Sequence, residues 1–194
     1  MKRQRRKLTK MHKDELWQVY APNGEAVNGE SWNSALDNPE KSGSDVIVGV
    51  AVVLVYRHSE NGLELLWQRR SEKVDRWPGD YDYSAGGHIN FGESLVEAAV
   101  REAYEEVGAT ISADDLRFVT MRPFNKNRFA WVYVVDWTGK KDEFHFNDEE
   151  VSEVKWVLFN ESEEFKEKYG KAPLKKDKLT LALLKEWFLQ HGDL

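Results

Sequence analysis

Residues 87–109 read GHINFGESLVEAAVREAYEEVGA, and the pattern of this stretch decides how the rest of the chain is read. Leu95, Ala98, Ala99, Ala103 and Val107 recur at helical spacing, which predicts an amphipathic helix from about Ser94 to Val107. Gly108 follows as a residue suited to ending it in the left-handed conformation. Glu102, Glu105 and Glu106 lie three and four positions apart, so they share one helical face. Like charges bunched there destabilise a helix unless something positive sits on them. Hard divalent cations such as Mg²⁺ take oxygen ligands, often one or two carboxylates plus substrate phosphates, and such an ion answers the charge.

Upstream, VIVGVAVVLVY at 46–56 is a continuous apolar, β-branched run, which fits a strand buried on both faces. Ser59-Glu60-Asn61-Gly62 turns the chain, and LELLWQRR at 63–70 returns as the partner strand. ELWQVY at 15–20 reads as a short strand, with a turn at Pro22-Asn23-Gly24, a second short strand near Glu25–Asn28 and a polar loop over 31–45. A loop from Lys73 to Asp80 leads to a short strand over 81–87. Downstream, strands are expected near 115–121, 128–137 and 153–159, the middle one half-buried, with an acidic loop at 141–150. Asp177 to Gln190 reads as an amphipathic helix with Leu179, Leu183, Leu184 and Trp187 inward. Strands mixed with helices predict an α/β sandwich.

The 194 residues suit one domain with a sizeable core. No cysteine is present, which removes disulfides, thiolate metal sites and a cysteine nucleophile together. The net charge of −6 argues against stable nucleic-acid binding. No apolar run approaches the roughly 20 residues that span a membrane, and a cytoplasmic protein is expected. The basic opening MKRQRRKLTK lacks the apolar core of a signal peptide. Residues 1–13 read as a disordered tail and 14–194 as a single domain with an N-terminal hairpin and a C-terminal helix.

The box at 87–109 is identified as that of the Nudix family, G-x5-E-x7-R-E-U-x-E-E-x-G-U with U apolar. Gly87, Glu93, Arg101, Glu102, Glu105, Glu106 and Gly108 fill the fixed positions, and Ala103 and Ala109 the apolar ones. The resemblance implies an α/β/α sandwich with a mixed central sheet. It also implies a Mg²⁺- or Mn²⁺-dependent hydrolase that cleaves a phosphoanhydride in a nucleoside diphosphate linked to another group. By the same resemblance Glu105 and Glu106 are the principal metal ligands, completed by the carbonyl of Gly86 or Gly87. Glu102 is a further ligand or the base that orients water, and Glu93 and Arg101 are an internal ion pair. A carboxylate outside the box is common in this family; Glu149, Glu150 and Glu153 are available, with Glu150 the leading candidate. Arg69, Arg70, Arg122 and Arg128 are candidates for the diphosphate, because arginine matches phosphate bidentately. Trp67, Trp77, Tyr81, Tyr83, Phe124 and Trp131 are candidates to stack on a base.

ADP-ribose, dinucleoside polyphosphates, nucleotide sugars, modified nucleoside triphosphates and isoprenoid diphosphates all fit this box. The leader WQRRSEKVDRWPGDYDYSAGGH looks most like the branch similar to isopentenyl diphosphate isomerase, with His88 where that enzyme has a metal-binding histidine. Gly86 stands in the place of its catalytic cysteine, and residues 126–130 supply none of its glutamates. An isomerase is therefore disfavoured, as is a non-catalytic nucleotide sensor, because the box glutamates are intact. A small-molecule diphosphate is the expected partner, and the N-terminal hairpin allows a homodimer.

Overall fold

The computed structural model describes residues 16–21, 25–31, 47–125, 128–146 and 149–194. The basic tail, the Pro22-Asn23-Gly24 turn and the polar loop from 32 on lie outside them. The long apolar run becomes β3 (Ile47–Ser59), and β4 (Gly62–Arg70) returns antiparallel to it. Their pairing covers only Tyr56 to Leu65 at the turn end. Beyond it the two strands part, and one segment fills the fork: β5 (Tyr81–Tyr83) pairs β4, then β6 (Ala85–His88) crosses to pair β3. Ser84, between them, is fully buried. Its hydroxyl accepts from the Val55 N–H at 2.8 Å and donates to the Leu66 carbonyl at 2.6 Å. One hydroxyl thus satisfies a backbone group on each arm that the parting would leave orphaned.

β3 is the spine of the sheet. One edge takes β8 (Arg128–Asp136) in parallel register, Val48 opposite Arg128 through to Tyr56 opposite Asp136. The other edge takes β1 (Leu16–Tyr20), β6 and β4 in succession. Outside these lie β2 (Ala26–Ser31) on β1, β7 (Arg117–Asn125) on β8 and β9 (Val151–Leu158) on β4, all antiparallel. The sheet is mixed, as expected.

Each face carries a core. On one, Val50, Val52, Leu54, Ala130, Val132 and Val134 meet Phe165, Leu174, Leu181, Leu184 and Phe188, from α2 (Ser162–Tyr169), α3 (Ala172–Lys175) and α4 (Thr180–His191). On the other, Ala51, Val53, Val55, Tyr133 and Val135 meet Ala98, Ala99, Ala103 and Val107 of α1 (Leu95–Val107). The result is an α/β/α sandwich. Because β8 sits beside the spine, it is buried on both faces rather than half-buried. In α4, Leu184 and Trp187 point inward as expected, but Leu179 is 52 % and Leu183 36 % exposed. Leu181 and Phe188 take their places because the helix starts at Thr180 and is rotated accordingly. α2 and α3 were not expected from the sequence.

Candidate active site

The box helix begins and ends on its own sequence. Ser94 accepts from the Glu97 N–H while Glu97 accepts from the Ser94 N–H, a capping box. Gly108 closes the helix at φ 68°, its N–H reaching the Tyr104 carbonyl at 3.0 Å. Its alanine-rich face lies flat on the sheet, so the carboxylate face is brought against β6 and β4.

Arg101 organises that face. Its guanidinium grips Glu93 with two bonds, Nε to Oε1 at 2.8 Å and Nη2 to Oε2 at 2.9 Å. Nη2 also donates to the His88 carbonyl at 2.9 Å, and Nη1 reaches Glu102 at 2.8 Å and Glu105 at 2.9 Å. The Glu93–Arg101 pair read from the box is present, and it reaches further than expected. One cation ties the loop, the end of β6 and two box glutamates together.

Glu106 lies deepest, at 5 % exposure. Its Oε2 accepts from the Gly86 N–H at 2.7 Å and from the Gln68 amide at 2.9 Å. Burial first, then the charge of Glu102, holds its carboxyl well above the usual range, against the pull of the Gly86 N–H. Burial likewise pushes the Glu102 carboxyl up to about 7, with Glu105 and Glu150 adding to the rise and Arg101 opposing it. Glu150 thus acts electrostatically on both buried carboxylates, while its carbonyl accepts from the Ser71 N–H at 2.7 Å. Gly87 is the floor beneath Glu102: a Cβ there would overlap the Glu102 carboxylate. Only glycine admits so close an approach.

Among the described residues no three acidic or imidazole side chains stand already gathered at metal-holding spacing. Glu105, 46 % exposed, is turned to Arg101, and Glu106 to Gln68 and Gly86. The donor chemistry nevertheless fits a hard divalent cation. The donors are all oxygens, and burial raises the proton affinity of Glu102 and Glu106, with the charge of Glu102 raising that of Glu106 further, a cost that a cation relieves.

The other two acidic candidates are engaged elsewhere. Glu149 pairs with Lys73 at 3.0 Å, and Glu153 accepts from the Tyr81 hydroxyl. The arginines are dispersed. Arg69 donates to the Gly79 carbonyl at 3.0 Å and to Glu72 at 2.9 Å, and Arg70 to the Arg76 carbonyl at 3.1 Å. Arg122 is buried against Asp177 at 2.5 Å. Arg128 opens β8, beside the first residues of β3. Trp67 and Tyr83 are core residues, out of reach of a base, whereas Trp77, Tyr81 and Trp131 are half-buried. The Phe124 side chain lies outside the described residues. His88 ends β6, its ring stacked on Trp17 at 3.6 Å between centroids. Gln68 escaped the sequence reading. Its only signal was a polar side chain inside an apolar strand.

The NUDIX domain family matches residues 47–178. Nudix hydrolase 3 of Arabidopsis thaliana is 35 % identical over 124 residues, covering 58 % of this chain and 16 % of that protein, so the chain spans a small part of that relative's length. The uncharacterized Nudix hydrolase lmo0368 of Listeria monocytogenes is 28 % identical over 142 residues, covering 69 % of this chain and 83 % of that protein. Among solved structures, DR0079 of Deinococcus radiodurans superposes with a TM-score of 0.65 at 22 % identity, over 88 % of this chain and 98 % of that one, and shares the fold. The family match runs across more than half of the chain and encloses the whole box, its helix and both strands of the fork, so the chain belongs to the Nudix family.

Proposed function

We propose that the chain is a Mg²⁺- or Mn²⁺-dependent pyrophosphohydrolase that cleaves the phosphoanhydride bond of a nucleoside diphosphate linked to another group. One observation supports this reading: the Glu102 and Glu106 carboxylates are held one helical turn apart and largely out of water, Glu102 over the glycine floor of Gly87 and Glu106 on the Gly86 N–H and the Gln68 amide. Buried like charges are costly, and perturbed carboxylates of this kind concentrate at functional sites.

Glu102, Glu105 and Glu106, with the carbonyl of Gly86 or Gly87, would hold the ion. When bound, a divalent cation would offset the phosphate charge and make the attacking water more acidic. The chain does the rest. Gln68 and the Gly86 N–H aim Glu106, leaving its other oxygen for ligation. Glu102 is a further ligand of that ion or the base that orients the attacking water. Glu150 adds negative charge at the same place. Arg101 holds the helix, loop and β6 in fixed relation, which keeps these groups in register during turnover.

Among the described residues no helix is long and apolar enough to cross a membrane. The reading has the protein acting in the cytoplasm on a small-molecule diphosphate, with no stable nucleic-acid partner and with the β1–β2 hairpin available for a homodimer. A panel of nucleoside diphosphate derivatives assayed with Mg²⁺, and again with excess chelator, tests it. Turnover should need the metal, and undiminished turnover in chelator would sink the mechanism. Glu106→Gln should lower the rate by about 10²–10³ with the fold intact; a near-normal rate would remove Glu106 from the ligand set.

A further inference from the structure

Leu65 and Trp67 of β4 enter the core on one face of the sheet, and Leu66 enters the core beneath the box helix. Alternation therefore turns Gln68 toward the box helix. There it is 1 % exposed, and its Nε2 donates to Glu106 Oε2 at 2.9 Å. That carboxylate oxygen also accepts from the Gly86 N–H. It therefore meets the donor end of the amide, which fixes the oxygen as the other end. Gln68 Oε1 is buried with no hydrogen-bond partner among the described residues, and among them it is the one buried side-chain oxygen left so.

The side chains on the neighbouring strands offer it no donor. Gln68 lies opposite Val154 on β9 and opposite Asp82 on β5. Val154 is apolar, and the Asp82 carboxylate accepts from Lys171 and from the Tyr83 N–H. A buried acceptor without a donor costs stability. A cation removes that cost. Oε1 shares its carbon with Nε2, so it lies about 4–5 Å from Glu106 Oε2. Oxygens on opposite sides of one hard cation are about 4–5 Å apart as well.

We propose that Gln68 Oε1 is a ligand of the divalent cation held by the box carboxylates, a neutral oxygen that completes its shell from the strand side. Hard cations take amide oxygens as well as carboxylates. Glu105 and Glu150 already act on Glu102, and Glu102 and Glu150 on Glu106. A further carboxylate at position 68 would add repulsion to the metal-free protein, whereas an amide adds an oxygen without a charge. One side chain then has two tasks: Nε2 holds Glu106 in place, and Oε1 meets the ion. This ligand rests on the metal-dependent reading above.

Titration of the metal-free protein with Mn²⁺, without substrate, tests it, the free ion being followed by electron-spin resonance. Gln68→Met, similar in volume but without a polar end, should bind Mn²⁺ about 10- to 100-fold more weakly than wild type, the range for a group that supports a metal site. A water should take the place of Oε1, so the bound ion should carry one more water than in wild type, counted by electron–nuclear double resonance in isotopically labelled water. Gln68→Leu serves if the methionine variant does not fold, with the same expectation. Wild-type affinity in the variant would overturn the ligand and leave the rest of the metal site standing. Weakened affinity with an unchanged water count would also overturn it, since Gln68 would then act only by aiming Glu106. Failure of the wild type to bind Mn²⁺ would overturn the ligand and the metal-dependent reading together. Binding with the extra water in the variant, but no hydrolysis of any diphosphate by the wild type, would leave the ligand standing and remove the hydrolase reading alone.

Discussion

Replacing Glu102 with Gln should change how stability depends on pH, and the structure sets the size of the change. Burial lifts the Glu102 carboxyl from an ordinary 4.5 to about 7. A group whose folded value exceeds its unfolded value adds stability that is complete below the unfolded value and is lost as pH rises through the folded one. For Glu102 that window runs from about 4.5 to about 7, and the loss across it is about 3 kcal/mol. At 194 residues this corresponds to a fall of about 6–12 °C in melting temperature. Glu106 is shifted in the same direction by burial and by Glu102, so it deepens the fall in the wild type. Calorimetry in chelator from pH 5 to pH 8.5 should show the wild type losing ground steadily to Glu102→Gln. Mg²⁺ should reverse the loss near pH 8, by about 2.7 kcal/mol at a hundredfold excess over its dissociation constant, and reverse it less as protons compete at lower pH. The Glu105→Gln/Glu106→Gln double variant should lose that Mg²⁺ response. A wild-type curve parallel to that of Glu102→Gln, or an equal Mg²⁺ response in the double variant, would refute the argument.

Arg101→Ala should destabilise the protein by about 3 kcal/mol, because it leaves partly buried Glu93 and Glu102 without their cation; urea denaturation measures it, and a loss below 1 kcal/mol would count against the organising role. Gly87→Ala should displace Glu102 and depress kcat, while Gly139→Ala, where a Cβ meets nothing but φ is positive, should cost stability and leave kcat alone; equal kcat in the two would remove the floor argument. Incubated with isopentenyl diphosphate and Mg²⁺, the protein should form no dimethylallyl isomer, and turnover detected by product chromatography would contradict the case built on the missing cysteine.

The elements that could be read from sequence are those whose residues carry their own signal. β3 announced itself by an unbroken apolar run, and α1 by apolar spacing and a terminal glycine. The Glu93–Arg101 pair followed from the box resemblance. What escaped depends on partners distant in the chain. α2, SEEFKEKY, carries few apolar residues and is held by Phe165 entering a core made by other strands. The inward face of α4 follows from where Asp177, fixed by Arg122, accepts the Leu179 and Thr180 N–H groups. That contact spans 55 residues, and no local pattern reveals it. The structural partners of Arg69, Arg70 and Arg122 are likewise contacts that no local pattern announces.

The parallel pairing of β3 with β8 has a consequence for how the protein comes into being. Val48 and Arg128 are neighbours in space yet 80 residues apart in sequence, by subtraction of their paired positions. Contacts of that range incur their loop-closure entropy before they return any stability, so such topologies fold slowly. The box helix is a local structure, able to flicker into shape early. Its seat is not: β6 needs β3, and β3 is shielded from water only once β8 has arrived. The carboxylates therefore meet late, after the hydrophobic work of folding is done. A chain halted before Arg128 carries the full box motif without the strand that pairs the length of β3.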